Sequence, residues 1–390
     1  MRSRVTNTKT MDSKRRRENK RIPRLILLPL IICASFTFVS MMYMYSLTLV
    51  HENSISFGDE NTSIVSSRSS PTPFRNDFAA IKSYAAREIW IDILKEGQQL
   101  MKEQSASSPR LAAVEVGAND SEQAVEIAKN GLESHSIEPS PKAFAKIIEQ
   151  VKKLPADITD KIFLYNAAAG DSGEGYLNFS NSGSTGASVL TDAQAALIQN
   201  KDLVAKVKSI TMEQVLNNEV KPDYNSLQHS DLHSVFATKI DVQGFEPKVF
   251  QGMKKAIQNH KIDFILTEWW PKGVNKMNGY SEQCGEALQY LYLMADAGYT
   301  LYATHIVGHP NDAGYLEVKY RAFRKGLPFS DIKLHCLELY KLEVKFQLKK
   351  EAMGFWTDVL AVAPNAKLPR DPVSNFGRTI KKNMEKSSKL

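Results

Sequence analysis

Four acids stand at the ends of apolar runs: Glu115 between Val114 and Val116, Glu138 after Ile137, Asp241 after Ile240, and Glu268 after Leu266 and Thr267. Open α/β sheets bind ligands outside the carboxyl ends of their strands, where strand order reverses, so carboxylates gathered there can hold hydroxyls or take protons. Each acid alone could equally cap a helix or accept backbone bonds in a turn, but four at one edge exceed what packing needs. The segment 114–120 reads Val-Glu-Val-Gly-Ala-Asn-Asp, and Glu138 follows Asp120 by 18 residues. A glycine turn after a first strand lets backbone N–H groups approach a nucleotide-type cofactor, and an acid ending the second strand holds its ribose diol. The nicotinamide form of this site carries three glycines as G-x-G-x-x-G. Only Gly117 is present here, so a pyrophosphate would lack its close backbone approach and a nicotinamide oxidoreductase is disfavoured. A cofactor without phosphate fits better, with S-adenosylmethionine the leading candidate. On this element alone, an ordinary strand-turn-helix without ligand stays open.

The elements that must position these residues alternate. Leu111 to Val116 reads as a strand, and Asp120 or Ser121 caps a helix that ends at Gly131. Strands follow at 132–138 and 162–168, with a helix from Pro141 to about Leu154 between them. A short strand at 176–179 precedes a Ser- and Gly-rich loop at 180–186. Further strands at 235–241, 264–268, 299–305 and 355–363 are separated by helices at 247–258 and 282–297. A helix from Phe78 to about Lys102 packs in front. The alternation predicts an α/β fold with a mostly parallel sheet covered on both faces. The segment 308–353 fits no pattern that can be interpreted.

Three segments together resemble the FkbM-type methyltransferases, S-adenosylmethionine-dependent enzymes of Rossmann-like, class I fold. They are 114–120, the Ile-Glu-Pro-Ser-Pro-Lys-Ala-Phe of 137–144, and the Lys-Ile-Asp-Val-Gln-Gly-Phe-Glu-Pro-Lys-Val-Phe-Gln-Gly-Met of 239–253, followed by Leu-Thr-Glu at 266–268. The third is the most specific. The resemblance implies that Glu115, Gly117 and Asn119 form the turn on the methionine side and that Glu138 binds the ribose hydroxyls. Asn166 and Ala167 would lie near the adenine, and Asp241, Gly244 and Glu246 would line the transfer site. Asp241 and Glu268 are the candidate bases for a hydroxyl acceptor, with His305 behind them; His305 could equally be structural. Trp269 and Trp270 either floor the acceptor pocket or pack the core. The chain departs from the family's pattern at Gln243, where a glutamate is usual, and at Ser121, where glycine is frequent. Gln243 removes a carboxylate beside the reacting centre, and restoring it is expected to leave activity equal or higher. It also keeps a second class open, a catalytically silent, membrane-tethered binding or scaffold protein.

Charge separates the ends from the middle. Residues 1–24 hold ten Lys or Arg against two acids, a balance of +8, so the other 366 residues sum to −1. A nucleic-acid partner is therefore disfavoured, because its footprint would have to lie on the folded domain. Residues 25–50 contain no Asp, Glu, Lys, Arg or His, longer than the roughly 20 residues that cross a bilayer. The expected organisation is a basic cytosolic tail (1–24), a transmembrane helix (25–50), a disordered stem (51–76), a methyltransferase domain (77–364) and a basic disordered tail (365–390). Positive charge on the cytosolic side makes this a single-pass type II membrane protein facing the lumen of the Golgi or endoplasmic reticulum. A cleaved signal peptide with secretion, or an organellar targeting sequence, is the alternative. The expected partners are the membrane and a small-molecule or glycan acceptor. No Cys/His cluster suggests a metal, and Cys284 and Cys336 could pair in an oxidising lumen. Sequons stand at Asn61, Asn119 and Asn178, with Asn119 inside the presumed cofactor turn.

Overall fold

The computed structural model describes residues 74–104, 111–120, 122–180, 188–225, 232, 235–278, 283–303, 306–309, 316–318, 326–327, 329–347 and 353–366. The chain divides into two units, Met1–Asn61 and Thr62–Leu390, and every described residue belongs to the second. The expected transmembrane helix at 25–50, the tail at 1–24, Asn61, Ser121, His305 and nearly all of the 365–390 tail lie outside the described residues. Among the described residues, no helix is long and apolar enough to cross a membrane.

Among the described residues, fourteen strands form two sheets. They are β1 (Ala112–Val116), β2 (Glu133–Ile137), β3 (Ile162–Tyr165), β4 (Ala167–Ala169), β5 (Tyr176–Ser180), β6 (Val189–Leu190), β7 (Val204–Ile210), β8 (Val235–Ile240), β9 (Ile262–Trp269), β10 (Thr300–Ala303), β11 (Ile306–His309), β12 (Leu316–Val318), β13 (Gly326–Leu327) and β14 (Gly354–Val362). The heart of the main sheet is five parallel strands in the order β3-β2-β1-β8-β9. Order reverses between β1 and β8, so the switch point lies where Gly117 and Asp241 leave the sheet. Beyond β9 the sheet is antiparallel: β14 runs against β9 on one side and against β10 and β11 on the other. The expected mostly parallel sheet is thus a parallel centre with an antiparallel flank, because the chain after β9 returns along β14.

Alternation along β1, β8, β9 and β14 sends side chains to two opposite cores. On one face Ala113, Ala237, Phe264, Leu266 and Leu360 pack under Trp90, Ile93 and Leu94 of the helix Phe74–Glu103. On the other, Val114, Val116, Ile240, Ile265, Val359 and Ala361 pack with Val249 and Phe250, Tyr290 and Leu291, and Leu339 of three further helices. The front helix begins at Phe74, inside the segment expected to be stem. β2 is buried at every position although it reads Glu-Ser-His-Ser-Ile. Its polar groups find partners: His135 Nδ1 meets Tyr165 OH at 3.0 Å and Ser136 Oγ donates to Glu115 at 3.4 Å.

Two expected elements divide. The run 162–168 breaks at Asn166, β3 staying in the main sheet while β4 joins β7, β5 and β6 in a second, four-stranded sheet. Asn166 fixes the break, its N–H donating to Asp223 Oδ2 (2.8 Å) and its amide to the Glu138 carbonyl (2.9 Å). The expected helix 247–258 is two short helices, Glu246–Gln251 and Lys254–Gln258. They part at Gly252, where any Cβ would strike the Gly170 carbonyl. The unread segment 308–353 contains β12, β13 and the helix Phe329–Lys345. Cys336 of that helix forms a disulfide with Cys284, Cα to Cα 5.9 Å.

Candidate active site

A cleft of about 440 Å³ opens at the switch point, within the range of small-molecule sites. Its first wall is the turn after β1. Gly117 takes φ +87°, and a Cβ there would collide with the Asp241 carbonyl oxygen, so the two turns can meet this closely only at glycine. Asn119 is also left-handed, φ +49°. Its backbone N–H donates to Glu138 Oε2 and that of Ser140 to Oε1, both at 2.7 Å. Glu138 is buried, which raises its pKa, while those two N–H bonds pull it down. It therefore locks its own turn to the β1 turn while lining the cleft.

Glu115 lies one rung deeper. It is 1% exposed, does not line the cleft, and stands opposite Lys239 across the β1–β8 pair. Burial pushes its carboxyl well above the usual range, with Lys239 opposing. Lys239 itself reaches the cleft. Asn166 and Ala167 do not line it; Ala168 and Ala169 do, with Phe179 and Val189, which face each other across β5 and β6.

The turn after β8 carries the densest set of acids. Strand register puts Asp241, Glu268 and Asp358 on one rung: Ile240 pairs with Thr267 in β9, and Glu268 with Asp358 in β14. Gln243, left-handed at φ +55°, donates its amide to Asp241 Oδ1 at 2.6 Å and to Glu268 Oε2 at 3.4 Å. One neutral side chain thus bridges two carboxylates that would otherwise repel. Asp241, Gln243 and Asp358 line the cleft; Glu268, 3% exposed, and Glu246 do not. Glu246 accepts the N–H groups of Val242 (3.1 Å) and Gly244 (2.9 Å), so it shapes the turn from beneath. Burial first, then the charge of Glu268, raises its pKa to about 8. Gly244 also lies below, against Met277 and the Gly273 carbonyl.

Neither tryptophan singled out in the sequence floors the cleft. Trp269 is buried in the core with Nε1 on the Ala287 carbonyl (3.1 Å), and Trp270 Nε1 bonds the Met353 carbonyl (2.6 Å). Trp90 of the front helix and Trp356 of β14 line it instead. The only signal for Trp356 and Asp358 was their two-residue spacing in the final strand. Among the described residues, no group of three or more His, Cys, Asp or Glu is placed to hold a metal ion.

A doubly wound sheet with a ligand cleft at its switch point, a single-glycine turn and an acid ending the second strand is the architecture of the class I methyltransferase fold. Residues 115–301 of this chain match the family description "Methyltransferase FkbM domain", a match that indicates S-adenosylmethionine as the cofactor. The chain's residues suit that ligand: the cleft has adequate volume and contains buried polar atoms without partners, Trp90 Nε1 and Gln123 Oε1. No curated protein matches the sequence. Solved structures that overlay on it include a precorrin-6y C5,15-methyltransferase from Geobacter metallireducens, at 9% identity over 68% of this chain and 87% of that one, TM-score 0.28. A human methyltransferase 10 domain containing protein overlays at 7% identity, 75% and 99% coverage, and TM-score 0.30. A geranyl diphosphate methyltransferase in complex with SAM does so at 10% identity, 69% and 84% coverage, and TM-score 0.27. Overlays this loose add nothing to the topology itself.

Proposed function

We propose that the chain methylates a hydroxyl group, on a sugar or another hydroxylated acceptor of the secretory pathway, with Asp241 as the base. The observation that carries this is the rung of acids at the cleft, of which Asp241 and Asp358 reach the lining while Gln243 fixes the Asp241 carboxylate. Bound S-adenosylmethionine supplies an electrophilic methyl carbon on a sulfonium. Asp241 would take the proton of the acceptor hydroxyl, leaving its oxygen ready to receive the methyl group that the bound cofactor would supply. Glu268 positions Asp241 through Gln243, and Glu246 holds the turn. Glu138 meets the ribose, Gly117 and Asn119 form the turn beside the methionine part, and Glu115 supports that turn from below through Lys239. Ala168, Ala169 and Phe179 supply the apolar adenine wall; Asn166 acts one step behind, by ending β3, and Ala167 by opening β4.

The lumenal placement, with residues 25–50 as a type II anchor, is supported by the Cys284–Cys336 disulfide, since such bonds persist in oxidising compartments. Methyl transfer from labelled cofactor to cell glycans is the test. Asp241→Asn keeps the shape and removes the basic site, so turnover is expected to fall about 100-fold or more with cofactor affinity intact. A wild-type chain that binds cofactor and methylates no hydroxylated acceptor would favour the scaffold reading, which Gln243 motivates.

A further inference from the structure

The front helix Phe74–Glu103 precedes the 115–301 family match, yet it supplies Arg87 and Trp90 to the cleft. We propose that Arg87, Trp90, Glu122 and Gln123 form the subsite for the charged amino-acid end of the cofactor, an assignment that rests on S-adenosylmethionine binding in this cleft. Three observations point there. Arg87 Nη2 and Glu122 Oε1 pair at 2.6 Å, and both residues line the cleft. An exposed pair of this kind contributes little to stability, but its two charges match a zwitterion, guanidinium to carboxylate and carboxylate to ammonium. Gln123 Oε1 and Trp90 Nε1 are buried and have no hydrogen-bond partner among the described residues. One is an acceptor suited to the ammonium and the other a donor suited to the carboxylate, and buried polar atoms are otherwise nearly always satisfied.

Position agrees with chemistry. Trp90 is three residues after Arg87, on the same helix face. Glu122 and Gln123 open the helix Glu122–Lys129 immediately beyond the β1 turn. With Glu138 and the alanine wall occupied by the nucleoside, this is the side of the turn left for the amino-acid portion. The front helix is then a cofactor-binding element as well as a core one.

Calorimetry on the full chain with two probes separates the possibilities. S-adenosylhomocysteine keeps the zwitterion; 5′-methylthioadenosine keeps the nucleoside and thioether and lacks it. Arg87→Met and Trp90→Phe are each expected to weaken the first by about tenfold while leaving the second within about twofold. The charge swap R87E/E122R, which retains an ion pair with reversed polarity, is expected to leave S-adenosylhomocysteine binding as weak as in Arg87→Met. Equal loss of both probes, or rescue by the swap, overturns the subsite and makes the pair a helix clamp only. A wild-type chain that binds neither probe overturns the cofactor assignment, and the subsite with it.

Discussion

At the residue scale, the site is governed by how carboxylates too close for comfort are kept compatible. Gln243 does this for Asp241 and Glu268 by donating to both. A glutamate in its place could bridge them only by sharing a proton, because three like charges gathered in the turn after β8 and at the end of β9 each raise the others' pKa. The sequence suggested that Gln243→Glu would leave activity equal or higher; the bridging amide adds a cost in stability. The substitution is now expected to destabilise the fold more at pH 8 than at pH 5, read from urea midpoints, and equal midpoint changes would contradict the bridge. Glu246 makes a related prediction. Its folded-state pKa is about 8 against an ordinary 4.5, so the folded protein holds the proton more tightly than the unfolded chain. Its contribution is complete below about pH 4.5 and is lost as pH rises through about 8. Glu246→Gln is expected to flatten that dependence while costing about 1–3 kcal/mol, because its amide cannot accept both the Val242 and Gly244 N–H groups. A pH dependence identical to wild type would show that this carboxyl does not titrate there.

At the scale of elements, what was legible in the sequence was local. The single-glycine turn, the acid ending β2 and the Asp241–Glu246 turn each lie within a few residues of the strand that presents them, so strand ends alone located them. What long-range pairing decides was not legible. The run 162–168 reads as one apolar strand; its break at Asn166 depends on Asp223, 57 residues on. Asp358 becomes a neighbour of Glu268 only because β14 inserts beside β9, and Arg87 meets Glu122 only because the front helix crosses the sheet. Trp269 could have floored the pocket or packed the core, and alternation turns it into the core opposite the cleft. The helix Phe329–Lys345 was invisible, and the Cys284–Cys336 bond now ties it to the turn before the helix Gln289–Asp296. Opening that link with Cys336→Ser is expected to cost about 2–5 kcal/mol of stability under oxidising conditions, with no further loss when wild-type and variant are compared in reductant. A variant equal to wild type in oxidant would mean the bond does not form.

At the scale of the whole molecule, the proposal that the catalytic unit faces a lumen rests on the basic head, the uncharged 25–50 run and the disulfide. Of the three sequons, Asn119 lines the cleft and Asn178 sits in β5 with its amide on Asp192 (2.7 Å). Glycan is therefore expected at Asn61, and Asn61→Gln should abolish the endoglycosidase shift in secretory cells; an unmodified chain would reverse the orientation. The central claim, that the cleft between β1 and β8 holds S-adenosylmethionine with Glu138 at its ribose, is tested most directly by titrating S-adenosylhomocysteine into the full chain by calorimetry. Wild type should bind and Glu138→Ala should bind about 1–3 kcal/mol more weakly, the scale of a lost hydrogen bond to a charged group. Unchanged affinity in Glu138→Ala, or tight binding of NAD with none of S-adenosylhomocysteine, would contradict it.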